Sequence, residues 1–110
     1  MVRQLVSLDG EDDDFIEDVL LGYVDQLRAC VTQMREAFDH GDMEAARLSA
    51  HTVKGASKQI GALRVGELLG GIESETSIDA ARNLLEVVEQ EVPRVQEAIQ
   101  GLLSRPRRAG

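Results

Sequence analysis

The chain has no tryptophan, one tyrosine and two phenylalanines in 110 residues. So few rings exclude a base-stacking surface for single-stranded nucleic acid and oblige the core to be aliphatic. Cys30 is the one cysteine, so no intrachain disulfide can form. It falls at an apolar helical position and is expected as a buried thiol in a reducing compartment. Positive charge is scarce: 12 Lys and Arg stand against 20 Asp and Glu, a formal net charge of −8. A pI near 4.7 leaves no basic footprint to neutralise phosphates, which argues against nucleic-acid binding. The terminal RPRRAG is basic but short, and is expected as a solvated tail. No apolar run is long enough to cross a membrane. The opening MVRQLVSLDGEDDD turns acidic where a signal peptide would be apolar. The expectation is a soluble cytoplasmic protein of one domain, with a modest core and no room for a separate cofactor domain.

What is present in abundance is helical periodicity. Ile16, Leu20, Tyr23, Leu27, Cys30, Met34 and Ala37 recur at steps of four and three, with Val19, Val24, Val31 and Phe38 widening the stripe. This predicts a helix over about Asp13–Asp39 with a broad buried face. Gly41 suits the left-handed position that ends such a helix, Asp42 suits the cap of the next, and His40 is placed to interact with the helix dipole. A second helix is expected over Met43–Ile60, with Gly61 permitting a break, and a shorter third over Ala62–Glu73. The acidic run GEDDDF at 10–15 is read as capping the first helix.

Thr76 or Ser77 can cap a fourth helix, on which Ile78, Ala81, Leu85, Val88, Val92, Val95, Ile99 and Leu102 keep the same rhythm. Pro93 lies inside it. A proline in mid-helix removes a hydrogen bond and kinks the helix, yet the apolar register passes through unbroken, so one bent helix is expected. Four amphipathic helices with short connections predict an all-α antiparallel four-helix bundle over residues 13–103. Residues 1–12 would then form an N-terminal segment and 104–110 the basic tail. One bundle can bury all four stripes, so a monomer is expected. The short flanks are expected of a free-standing protein, although a domain cut from a longer chain would look the same.

Both lysines of the chain, Lys54 and Lys58, stand in SAHTVKGASKQIGA beside His51. On a helical wheel with His51 at zero, Lys54 lies near roughly −60°, Arg47 near −40°, Lys58 near −20°, Ala62 near +20°, Gly55 near +40° and Gln59 near +80°. The opposite side carries Ala46, Ser49, Ala50, Val53, Ala56, Ser57 and Ile60, small or apolar residues that can pack closely. An acidic protein thus turns an imidazole outward within a local basic strip. Neighbouring cations would favour the neutral ring with a free lone pair, and would attract an anion such as a phosphoryl group. Gly55, one turn after the histidine, leaves room for a partner's backbone at a cost of about 0.5–1 kcal/mol relative to alanine.

The stretch AHTVKGASKQIGALRVGELLGGIE, residues 50–73, closely resembles the signature of histidine-containing phosphotransfer (HPt) domains of two-component phosphorelays. Ala-His, an apolar residue, Lys-Gly, a later Gly-Ala and a Leu-rich helix ending in an acidic residue all occur in order. FDHGDMEAARLSAH resembles the lead-in to the active helix. Val53 stands where leucine is more usual, and Gly70-Gly71 where larger residues are typical, which predicts a less rigid third helix.

The resemblance implies that His51 accepts the phosphoryl group, through Nε2. It implies that Lys54 and Lys58 position and screen that group, and that Arg47, Gly55, Gln59 and Ala62 serve positioning or docking. It further implies a covalent carrier and not a kinase, because the chain has no glycine-rich phosphate loop or ATP-lid motif. Its partners would be receiver domains of a hybrid histidine kinase or a response regulator. The Mg²⁺ would belong to the receiver, and this chain would need no metal or cofactor. A docking module of the same fold, binding a receiver without phosphotransfer, is the alternative reading. A di-iron bundle enzyme needs paired Glu-x-x-His motifs, and positions 37 and 48 are Ala and Leu.

Overall fold

The computed structural model describes residues 11–104. Residues 1–10 and 105–110, most of the two expected flanking segments, lie outside the described residues. Four helices follow in order: α1 (Glu11–Asp39), α2 (Met43–Gln59), α3 (Leu63–Ser74) and α4 (Ile78–Leu103). Each packs on its neighbours in the chain, and α4 closes the ring onto α1. Three-residue connections between them give the antiparallel bundle that the stripes predict.

Two of those connections are built alike. At the end of α1, Asp42 N–H donates to the Ala37 carbonyl at 2.8 Å and Gly41 N–H to Phe38 at 3.0 Å. At the end of α2, Ala62 N–H donates to Ser57 at 2.8 Å and Gly61 N–H to Lys58 at 3.3 Å. These are Schellman pairs. They require a left-handed residue after the helix, met by Gly41 at φ +71° and Gly61 at φ +88°. Gly61 therefore ends α2 outright, two residues before α3 begins. Side chains cap α2 and α4: Asp42 Oδ1 accepts from Ala45 N–H at 3.0 Å, and Ser77 Oγ from Ala80 N–H at 3.2 Å. His40 Nδ1 lies 2.8 Å from the Glu36 carbonyl, as expected at a helix C-terminus.

The core is aliphatic apart from two rings, Phe38 and Tyr23. Leu27, Met34, Leu69, Ile72, Val65 and Val88 are fully buried with Phe38. Cys30 is buried as expected, and burial pushes its thiol up to about 11. A thiol held that high carries almost no thiolate and is chemically quiet. One buried polar pair crosses the core. Ser57 Oγ donates to the Val53 carbonyl at 2.7 Å, so the Tyr23 hydroxyl, 2.6 Å away, donates to Ser57. Replacing Tyr23 with phenylalanine should lower the unfolding free energy by about 1 kcal/mol, read from urea denaturation. No change would mean that the hydroxyl finds an equal partner elsewhere.

Departures from the expected stripes share one cause. α1 and α4 have 29 and 26 residues, against 17 and 12 in α2 and α3. The first turns of α1 and the last of α4 outreach the other two helices. Ile16 and Leu20 are therefore only half-buried, while Val19 at 40% and Leu102 at 52% are exposed. α4 runs through Pro93 without interruption. Its ring faces solvent, where the Glu89 carbonyl, left without its helical donor, can turn to water. α3 likewise continues through Gly70 and Gly71.

Candidate functional site

α2 owes its position to small residues. Ala46, Ala50, Val53 and Ser57 are buried at helical spacing, which draws the helix close against the bundle and turns the opposite side outward. On that outer side His51, Gly55, Lys58 and Gln59 are exposed, and the His51 ring is 65% exposed. The expected stripe is thus present on α2, except for Ala62. Because Gly61 reverses the backbone, Ala62 leaves the helical wheel, caps α3 and packs half-buried against the core.

The site has a member that α2 alone could not reveal. Glu73, near the end of α3, places Oε2 at 2.7 Å from His51 Nδ1 and Oε1 at 2.6 Å from Lys54 Nζ. One carboxylate therefore joins the imidazole to the lysine. The Lys54 hydrogen bond, helped by His51, holds the Glu73 carboxyl below its usual range despite a partial opposing effect of burial. The expected picture of two lysines flanking the ring is corrected accordingly: the nearer cation is already paired, by an acid from another helix.

Glycines on α3 make this approach possible. A Cβ on Gly70 would lie 3.5 Å from Cδ of Lys54, and one on Gly66 only 3.0 Å from Cγ of Lys58. Both lysine stems lie along a groove that glycine leaves open at positions four apart. Gly71 faces the other way, where a Cβ would come within 3.2 Å of Leu84 on α4. The glycines that depart from the family's usual residues thus let α3 pack closely on both sides.

The other expected site residues divide. Arg47 donates to the Glu75 carbonyl at 2.9 Å and pairs with Glu44 at 3.6 Å, tying α2 to the turn after α3. Lys58 follows His51 by about 10 Å of helix rise. Among the described residues it makes no ion pair or side-chain hydrogen bond. Gln59, at the last position of α2, is farther still. Leu48, one turn before His51, is 69% exposed, and Leu63 at the start of α3 is 60% exposed. Sequence reasoning passed over both leucines, since nothing in a helical stripe marks an apolar residue that no partner helix covers. Glu73 had a signal, the acidic end of the signature stretch. Among the described residues no three His, Cys, Asp or Glu side chains gather as a metal site.

This geometry supports one chemistry well. With Nδ1–H donated to Glu73, the second ring nitrogen, Nε2, keeps its lone pair and faces solvent. An imidazole so held can serve as a nucleophile, and it stands beside Lys54 and the gap at Gly55. The family model described as the Hpt domain matches residues 18–103. The chain belongs to the Hpt domain family. Hpt domains are phosphotransfer modules of two-component signalling, phosphoryl carriers that work with receiver domains. The matched span takes in all of α2 and α3 and hence the whole His51–Glu73–Lys54 cluster. Comparison with curated proteins and with solved structures found no match. No helix among the described residues is long and apolar enough to cross a membrane.

Proposed function

We propose that this Hpt domain relays a phosphoryl group between receiver-domain aspartates through His51. The observation that carries the proposal is the Glu73 contact at Nδ1, which leaves Nε2 exposed as the free nucleophilic atom. In the forward step, the Nε2 lone pair attacks the phosphorus of an aspartyl phosphate, the P–O bond to the aspartate breaks, and a free carboxylate leaves. The reverse step returns the phosphoryl group to a second aspartate. The receiver supplies Mg²⁺ and the acidic pocket, and this chain supplies the nucleophile and the docking face. It acts as a carrier without kinase activity of its own.

Lys54 lies one turn from His51 and can swing from Glu73 towards the phosphoryl oxygens, while Lys58 adds unpaired positive charge farther along α2. Gly55 leaves the receiver's backbone room to approach. Exposed Leu48 and Leu63 are apolar contacts for the receiver surface, of the kind that a helix-on-helix interface buries. Incubation with a radiolabelled phospho-receiver and Mg²⁺ tests the proposal. The chain is expected to take up acid-labile, alkali-stable label. Tight receiver binding without any label would instead make it a docking module.

A further inference from the structure

We propose that two copies of this chain associate end to end, through the stretch where α1 and α4 outrun α2 and α3, each copy supplying the pair of helices that the other lacks there. The proposal is independent of the phosphoryl-carrier reading.

Two contacts mark where the four-helix part ends. Tyr23 of α1 meets Ser57 in the last turn of α2, and Glu91 of α4 meets Arg64 in the first turn of α3. Beyond these levels α1 and α4 run on as a two-helix stalk, with roughly ten residues of each helix and a length of about 15 Å.

The stalk lacks cover on a definite side. Phe15 precedes Gln33 by about five full turns of helix, so both point the same way, and Gln33 meets Ser49 of α2. Val19 stands in the same relation to Cys30, about three turns on, whose thiol meets the Ser49 carbonyl. On α4, Leu102 follows Leu84 by about five turns, and Leu84 lies against Gly71 of α3. The sides that face α2 and α3 in the bundle thus continue into the stalk with apolar residues and, among the described residues, no helix opposite them. Phe15 is 45% exposed, and Val19 and Leu102 are exposed with it, whereas Leu20, Val95 and Leu103 pack against the core. The expectation of a monomer requires that one bundle bury all four stripes, and these ends escape it.

A second copy fits the gap in shape and in charge. Turned antiparallel about a two-fold axis, two stalks of equal length complete a four-helix bundle across the axis, and each stalk tip reaches the α2–α3 turn of the other copy. The tip is acidic: α1 opens with Glu11, Asp12, Asp13 and Asp14, continues with Glu17 and Asp18, and has no base before Arg28. The ground it reaches is basic. Arg64 and Arg94, 62% and 73% exposed, share the single carboxylate of Glu91, which leaves positive charge in excess. Opposite fields meeting in this way set orientation and speed encounter. Gly22 and Gly101 lie exposed beside the open face, and a Cβ on either would meet nothing within 4 Å. Bare backbone there lets a second pair of helices come close. The patch is smaller than that of a permanent dimer, so the association is weak and reversible. It lies past the end of α2, about 12 Å of helix from His51, which stays open in both copies.

Sedimentation velocity of the full chain, from about 5 µM to about 1 mM, tests the proposal. The mass is expected to rise reversibly from one chain towards two across that range. Phe15→Glu and Leu102→Glu should each weaken association at least about tenfold. Their thermal melts should stay close to wild type, because both side chains lie outside the core. In a mixture of ¹³C-labelled and unlabelled chains, isotope-filtered NOEs should connect Phe15 to α1 or α4 of the other copy. A chain still monomeric at the highest concentration overturns the proposal. So does a dimer that both variants leave intact, since it would use another face. NOEs from Phe15 to residues 1–10 of its own chain would overturn it too, because the face would then be covered from within.

Discussion

Replacing His51 with glutamine should abolish phosphoryl transfer in both directions while leaving the fold and receiver binding in place. The His51 side chain is 65% exposed and contributes nothing to the apolar core. Changes at such positions typically alter stability by no more than about 0.5 kcal/mol. Glutamine is polar, helix-compatible and able to reach Glu73, but its amide has no nucleophilic lone pair comparable to that of an imidazole nitrogen. The effect is therefore confined to chemistry. Labelled phospho-receiver, incubated with each form, reads the loss directly, and thermal denaturation checks the fold. His40 offers no substitute, because it sits in the α1–α2 turn, before α2 and away from the Lys54–Gly55 stretch that accompanies His51. If the glutamine variant still supports signalling, the chain acts by docking alone.

A leucine at Gly55 should raise helix stability and lower transfer from a receiver by about a hundredfold. A Cβ at this position would meet no atom within 4 Å, so the bundle itself does not ask for glycine. Glycine in mid-helix costs about 0.5–1 kcal/mol relative to alanine. A residue that weakens its own helix without easing any contact is explained by what must come near it. Gly55 lies one turn beyond His51 on the exposed side, where, on the relay proposed above, a receiver's backbone would approach for its aspartate to reach Nε2. An added side chain would hold the two reacting atoms apart. Phosphoramidate, being small, should label the leucine variant at the wild-type rate. Initial transfer rates from both donors, together with a thermal melt, separate blocked docking from damaged chemistry. Undiminished transfer from the receiver would show that the gap has no role in docking.

Periodicity and turn chemistry made the fold readable. Gly41, Asp42 and Ser77 stand where caps need them, and the stripes of α1 and α4 alternate by three and four over most of their lengths. Those signals are local, and so is a helix end. How long each helix is relative to its neighbours is not local. That is why Val19 and Leu102 look like core in the pattern and are exposed in the bundle.

The site divides along the same line. His51, Lys54, Gly55 and Lys58 share one helix, and a wheel displays them together. Ala62 was misplaced by extending that wheel beyond Gly61, where a left-handed residue had already ended the helix. Glu73 approaches from α3, so only the packing of two helices brings it to the imidazole. The glycines at 66 and 70 look like weak points in a helix when read alone. They are the clearance through which two lysine stems pass.

The most direct test of the account is to identify the phosphorylated atom. Long-range ¹H–¹⁵N correlation on the phosphorylated, ¹⁵N-labelled chain reports which imidazole nitrogen carries phosphorus. The account predicts one phosphoryl group per chain, on Nε2 of His51, with Nδ1 still facing Glu73. A phosphoryl group on Nδ1, or on any residue other than His51, would contradict it.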